Sequence, residues 1–134
     1  MGIPSFAISM LPDEQDVYHL QPAADFARRL ALTICKQGLP PNTLLNVNVP
    51  NTNGLPIKQY KITRQGKRIF GDPISEKIDP RGKKYYWIGG EYLGFENIEN
   101  SDLLALHQHC VSITPVLLDL TNYDAMHDLS KWEM

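Results

Sequence analysis

The stretch Pro22–Gly38, PAADFARRLALTICKQG, followed by Thr43–Pro50, TLLNVNVP, decides how the chain is read. In the first, Ala23, Phe26, Ala27, Leu30, Ala31 and Ile34 recur at helical spacing and form one apolar stripe. Pro22 suits a first helical turn, Arg28, Arg29 and Lys36 point away from the stripe, and Gly38 is placed to end the helix. Pro40-Pro41 forbids any continuation. In the second, the residues shorten their period to two and stop at Pro50, which predicts a strand. Upstream, Ile3 to Met10 is an apolar run of strand length whose two faces both read as apolar, predicting a strand buried within a sheet. Residues 3–49 therefore predict one β-α-β unit.

Beyond Pro50 the signals are shorter. Asn51 to Pro56 is a turn cluster. Ile57–Arg64 and Lys67–Phe70 flank Gln65-Gly66 and are expected to pair as a hairpin. Gly71–Lys84, containing Asp79-Pro80-Arg81-Gly82, reads as a polar stretch, and Tyr85–Ile88 as a bulky aromatic strand. Glu91–Asn100 shows no period and reads as a loop. Ser101 is expected to cap a short helix over Asp102–His107, with Asp102 against its dipole. Val111–Leu118 predicts a strand in which Pro115 calls for an edge position or a bulge. Asn122–Trp132 predicts a last helix. No linker divides the chain, and spacing alone predicts an α/β domain with a β-rich second half.

Composition narrows the function classes. The 134 residues are 43% apolar and 21% charged, ordinary for a globular domain, and the formal net charge of −2 gives no electrostatic case for nucleic acid or an anionic membrane. No window approaches the length of a membrane span, and the N-terminal residues lack the features of a signal peptide; Phe6 stands where a myristoylation signal wants Ser or Thr. Cys35, on the apolar helix face, and Cys110 are expected to be buried free thiols, as in a cytoplasmic protein.

Candidate chemistry is sparse. There is no phosphate loop, G-x-S-x-G elbow or H-E-x-x-H motif. His107-Gln108-His109-Cys110 concentrates possible ligands, but positions i and i+2 face apart on a helix. Asp13, Glu14 and Asp16 form an acidic cluster best read as a solvated turn. Arg64, Lys67, Arg68, Arg81, Lys83 and Lys84 could recognise phosphate, against the plainer reading of a solvated hairpin. Tyr85, Tyr86 and Trp87 read as packing or interface anchors rather than base-stacking platforms.

Several strings resemble, in order, the SurE survival-protein family of 5′/3′-nucleotidases. Gly2–Ser9 (GIPSFAIS) is similar to its core strand and Thr43–Pro50 to the next. Thr63–Arg68 fits T-R-x-G-x-R, and Asp79–Gly82 with Tyr85–Gly89 fits D-P-R-G…Y-W-I-G. Ser101-Asp102, Val111–Pro115 and Asp119–Thr121 fit the family's ending. The resemblance implies an α/β partial SurE-like fold: one β-α-β unit of a Rossmann-like sheet followed by hairpins and short helices that exchange between subunits, giving a homodimer or homotetramer. It implies one incomplete domain, with 1–50 as the end of the Rossmann-like core, 51–121 as the hairpin region and 122–134 as a C-terminal helix, and Arg64, Asp79, Arg81, Tyr86 and Trp87 are the positions it points to in the assembly region. It also implies hydrolysis of nucleoside monophosphates with Mg²⁺ or Mn²⁺ held by an Asp-Asp pair, a Ser and an Asn. No Asp-Asp pair occurs in the 134 residues, so no catalytic or metal residue carries over. The chain is thus expected to be the C-terminal half of such an enzyme, inactive alone. Two other roles stay open: an assembly partner for an N-terminal half, and a ligand-binding module without catalysis. One departure is local: His109-Cys110 stands where the family has Gly-Tyr, so the helix before Val111 must end without its glycine.

Overall fold

The computed structural model describes residues 3–12, 15, 17–71 and 74–133. Its organising unit is the expected β-α-β: strand β1 (Ser5–Met10), helix α1 (Leu20–Gln37) and strand β2 (Thr43–Val49), with β1 and β2 parallel from Ser5↔Leu44 to Met10↔Val49. Helix α1 starts two residues before Pro22, which lies in the first turn where a missing N–H is harmless. It ends where Gly38 takes a positive φ of 74° and donates its N–H to Ile34 O at 2.8 Å. The predicted stripe is the face that packs: Phe26 and Ile34 are buried, Ala23 and Leu30 rest on the same cluster, and Arg28, Arg29 and Lys36 are exposed. Cys35 falls one position past the stripe and is exposed, contrary to the expectation; Cys110 is buried.

After β2 come β3 (Tyr60–Ile62), β4 (Arg68–Phe70), β5 (Ile74–Ile78), β6 (Lys84–Ile88), β7 (Tyr92–Phe95), helix α2 (Asp102–His107), β8 (Val111–Leu117) and helix α3 (Tyr123–Leu129). The main sheet has the order β1-β2-β8-β3, with β8 antiparallel to β2 and parallel to β3. Its core lies between this sheet and α1: Leu45, Val47 and Val49 of β2 and Val111 and Ile113 of β8 meet Phe26 and Ile34. The face opposite α1 is polar: Thr114 bonds Thr63, hydroxyl to hydroxyl at 2.7 Å, and Ser9 donates to Asn48 Oδ1 at 2.8 Å.

Four readings of the sequence change. Strand β1 pairs on one side only among the described residues and is half exposed; Phe6, Ile8 and Met10 reach the core, while Ser5, Ala7 and Ser9 are exposed on the other face. Ile57–Arg64 and Lys67–Phe70 do not form a hairpin. β3 joins β8, whereas β4 pairs with β7, so Glu91–Asn100 holds a strand that had read as loop. Within the polar stretch Gly71–Lys84 lies β5, whose lack of apolar periodicity concealed it and which pairs with β6 from Ile74↔Ile88 to Ile78↔Lys84. Finally, β8 is central, yet Pro115 still occupies a local edge. Val111 and Ile113 face β3, since Val111 N–H donates to Gln59 O and Ile113 O accepts from Thr63 N. By alternation Pro115 faces the same way, beyond the last paired residue, so no ladder bond is lost.

Candidate functional site

The Asp79-Pro80-Arg81-Gly82 motif builds the end of the β5–β6 hairpin, and each residue has a mechanical reason. Asp79 Oδ1 accepts from the N–H groups of both Arg81 and Lys83 at 2.8 Å. Gly82 N–H donates to Asp79 O at 2.9 Å with φ at 79°, a value that costs any side chain with a Cβ. Proline supplies its fixed φ between them. Along the arms Glu76 is held by Lys84 at 2.7 Å and by the Tyr86 hydroxyl at 3.1 Å. The hairpin exposes apolar side chains on both faces: Ile74, Ile78, Tyr86 and Ile88 on one, Tyr85 and Trp87 on the other, with Trp87 65% and Ile88 83% exposed. Together these side chains leave the hairpin with exposed apolar surface on both faces.

Asp79, Arg81, Tyr86 and Trp87 thus share one hairpin. Arg64 does not: it forms an isolated bridge with Ser101, its N–H donating to Asn100 O and its carbonyl accepting from Asp102 N, both at 2.9 Å. The T-R-x-G-x-R segment is a docking strap for α2. Gly66 N–H and Leu103 N–H both donate to Asp102 Oδ1 at 2.8 Å, and Ser101 Oγ accepts from Leu104 N as the helix cap. A Cβ on Gly66 would lie 2.8 Å from that carboxylate oxygen, so any larger residue must displace the Asp102 side chain that holds the strap. The sequence reading used Asp102 as a helix-dipole residue and within the Ser101-Asp102 string; its link to Gly66 was not visible. A glycine in a motif whose turn it does not make was the available signal.

The basic residues divide between these two regions. Lys67 pairs with Glu96 at 2.5 Å, and that hydrogen bond and charge hold its ammonium above the usual lysine pKa. Arg68 lies over the ring of Tyr92, 6.0 Å from its centroid. Arg81 and Lys83 are at the tip of the β5–β6 hairpin, with Lys84 beside it. His107 packs against Phe95, whereas His109 follows the helix with a positive φ of 55°. Among the described residues no three His, Cys, Asp or Glu side chains converge as cation ligands. Asp13, Glu14 and Asp16 lie outside the described residues.

The parallel β1–α1–β2 unit, extended by an antiparallel strand and followed by protruding hairpins, defines a mixed α/β protein of Rossmann-like type. Comparison with known proteins makes this specific. The model of the family described as survival protein SurE matches residues 1–72. The chain is 42% identical over all 134 residues to the 5′-nucleotidase SurE of Syntrophotalea carbinolica and 45% identical to that of Geotalea daltonii. It covers 52% and 54% of those proteins respectively. The crystal structure of the SurE protein from Aquifex aeolicus superposes with a TM-score of 0.76 at 39% identity, over 96% of this chain and 51% of that one. The chain belongs to the SurE family, and it spans about half the length of the curated relatives it matches. No helix among the described residues is long and apolar enough to cross a membrane.

Proposed function

We propose that the chain is the C-terminal, scaffold-and-assembly half of a metal-dependent 5′/3′-nucleotidase, a phosphomonoesterase that converts nucleoside monophosphates to nucleoside and phosphate. The observation that carries this reading is the match along its whole length to 5′-nucleotidases of about twice that length. The divalent ion, Mg²⁺ or Mn²⁺, would polarise the phosphoryl group and supply the attacking hydroxide. Its acidic ligands belong to an N-terminal half, so the chain alone is inactive. What these residues contribute is the carboxyl edge of β1 and β2, where open α/β sheets bind ligands, together with the strap and the hairpin.

The partners are a second copy of the chain, in a homodimer or homotetramer joined through the β5–β6 hairpins, and the N-terminal half. The exposed Ile74, Tyr86, Trp87 and Ile88 support the first. The reading places the protein in the cytoplasm, supported by its two free thiols, and its net charge of −2 favours neither nucleic acid nor membrane. The test is phosphate release from AMP with Mn²⁺. The purified chain is expected to give none, and mixing with an N-terminal half that carries the Asp-Asp pair is expected to restore it. Metal-dependent release by the chain alone would refute the division of labour. A second reading, a non-catalytic assembly partner for an N-terminal half, rests on the same hairpin and predicts an oligomer in size-exclusion with multi-angle scattering; a clean monomer would count against it.

A further inference from the structure

Between the end of β1, the β4–β7 ribbon and α2 lies a cavity of about 300 Å³, walled by Tyr92, Phe95, Leu103 and Leu106 and edged by Arg68 and His107. Leu11, the residue just after β1, closes its side, which sets the cavity beside the carboxyl edge of the parallel pair. Two features separate it from an ordinary surface gap. Its walls are aromatic and aliphatic, as in small-molecule sites of roughly 300–1,000 Å³. Its polar groups are a guanidinium and an imidazole, and among the described residues neither makes an ion pair. The contrast with the adjacent lysine is direct: Lys67 is neutralised by Glu96, whereas among the described residues Arg68 meets the face of Tyr92 and no carboxylate. The nearby carboxylate of Asp102 is engaged by two backbone N–H groups.

We propose that this cavity is a nucleoside monophosphate subsite in which Arg68 takes the phosphate, His107 adds a second polar contact, and the base rests against Tyr92 and Phe95. A guanidinium fork matches phosphate oxygens in pairs, and an aromatic wall accepts the flat face of any base. An apolar chain segment in the same space would cover Arg68 without an anion, which is strongly unfavourable. A ligand that is aromatic at one end and anionic at the other satisfies both halves of the cavity. The inference rests on the nucleotidase reading for the identity of the ligand, but the binding it describes needs neither metal nor turnover.

The experiment is metal-free calorimetric titration of the purified chain with AMP, adenosine and inorganic phosphate. AMP is expected to bind at least about ten-fold more tightly than either component, since each supplies one of two contacts. Arg68→Gln is expected to weaken AMP about ten-fold while leaving adenosine unchanged, and Phe95→Ala to weaken AMP and adenosine together. Circular dichroism of both variants checks folding, and Arg68→Lys, which keeps the charge and loses the fork, is expected to fall between wild type and Arg68→Gln. No AMP binding by the wild-type chain, or AMP affinity unchanged in folded Arg68→Gln, would overturn the proposal. If AMP binds as described but mixing with an N-terminal half gives no hydrolysis, the subsite stands and the catalytic reading falls. If hydrolysis appears and Arg68→Gln changes neither AMP binding nor KM, the reverse holds.

Discussion

Replacing His109 by glycine is expected to stabilise the protein, because α2 ends in a geometry that suits glycine. His109 has φ at 55°. Its N–H donates to Leu106 O, and the N–H of Cys110 donates to Ala105 O, both at 2.9 Å. These are the paired bonds of a Schellman ending, in which the residue after the cap must be left-handed. The turn is fixed on its far side by buried Cys110 and Val111 at the start of β8, so the backbone cannot relax into another ending. A side chain in that conformation costs about 1–2 kcal/mol. Glycine removes that strain but loses about 0.5–1 kcal/mol through the greater freedom of its unfolded chain. The net gain is about 0.5–1 kcal/mol, which for a domain of this size raises Tm by roughly 2–4 °C. Thermal melts of wild type, His109→Gly and His109→Ala measure it. Alanine keeps the Cβ and is expected to give no gain. A glycine variant that melts no higher than the alanine variant would show that the left-handed strain is absent and that the reasoning fails.

Thr114→Val leaves the buried Thr63 hydroxyl without its 2.7 Å partner and is expected to cost about 1–3 kcal/mol in urea melts, whereas Thr63→Val/Thr114→Val recovers most of the loss; equal loss in both variants would remove the hydroxyl pair as the cause. Tyr86→Ala/Trp87→Ala is expected to shift the species seen by light scattering toward monomer with an unchanged far-ultraviolet spectrum, and an unaltered mass distribution would exclude this strand from the interface. Hydrogen bonding from the side chains of Thr121 and Tyr123, and then from Thr121 N–H at 2.9 Å, lowers the Asp119 carboxyl pKa from 3.8 to about 2. A depressed folded-state pKa contributes stability above the unfolded value that disappears as pH falls from about 3.8 through about 2. The turn leading into α3 is therefore expected to loosen in that window, and an Asp119 carboxyl resonance that titrates near 3.8 by NMR would contradict it.

What could be read from the sequence was whatever local physics determines. The α1 stripe, Pro22 and Gly38 specify a helix and its end without reference to the rest of the chain, and β2 appeared with its predicted bounds, Thr43–Val49. Ser101 and Asn122 cap their helices as such residues do anywhere, each side chain accepting one N–H. Pairing was not legible. Gln65-Gly66 between two apolar runs imitates a hairpin turn, but Gly66 is spent on Asp102, 36 residues away, and the two runs leave for different sheets. Strands β5 and β7 lack an apolar alternation because neither has a buried face to encode. For the candidate cavity, Arg68 was visible as a basic residue. Its neighbours Tyr92, Phe95 and His107 come from a stretch read as loop and from a helix end, and only the β4–β7 pairing gathers them.

That same absence of a buried face connects the fold to the proposed assembly. Residues 5–49 and 111–117 hold nearly the whole core, and every residue of β5 and β6 is exposed. An isolated two-stranded ribbon is marginal in water, and turn chemistry and one Glu76–Lys84 pair add little at an exposed site. The ribbon nevertheless carries Ile74, Ile78, Tyr85, Trp87 and Ile88, side chains that would be poor choices for a solvated loop. Asp79 and Gly82 fix its turn firmly, so the apolar side chains are presented in a set register and not merely left uncovered. A preformed edge with ordered anchors loses little entropy on association, which favours a like surface from a second copy over intramolecular collapse.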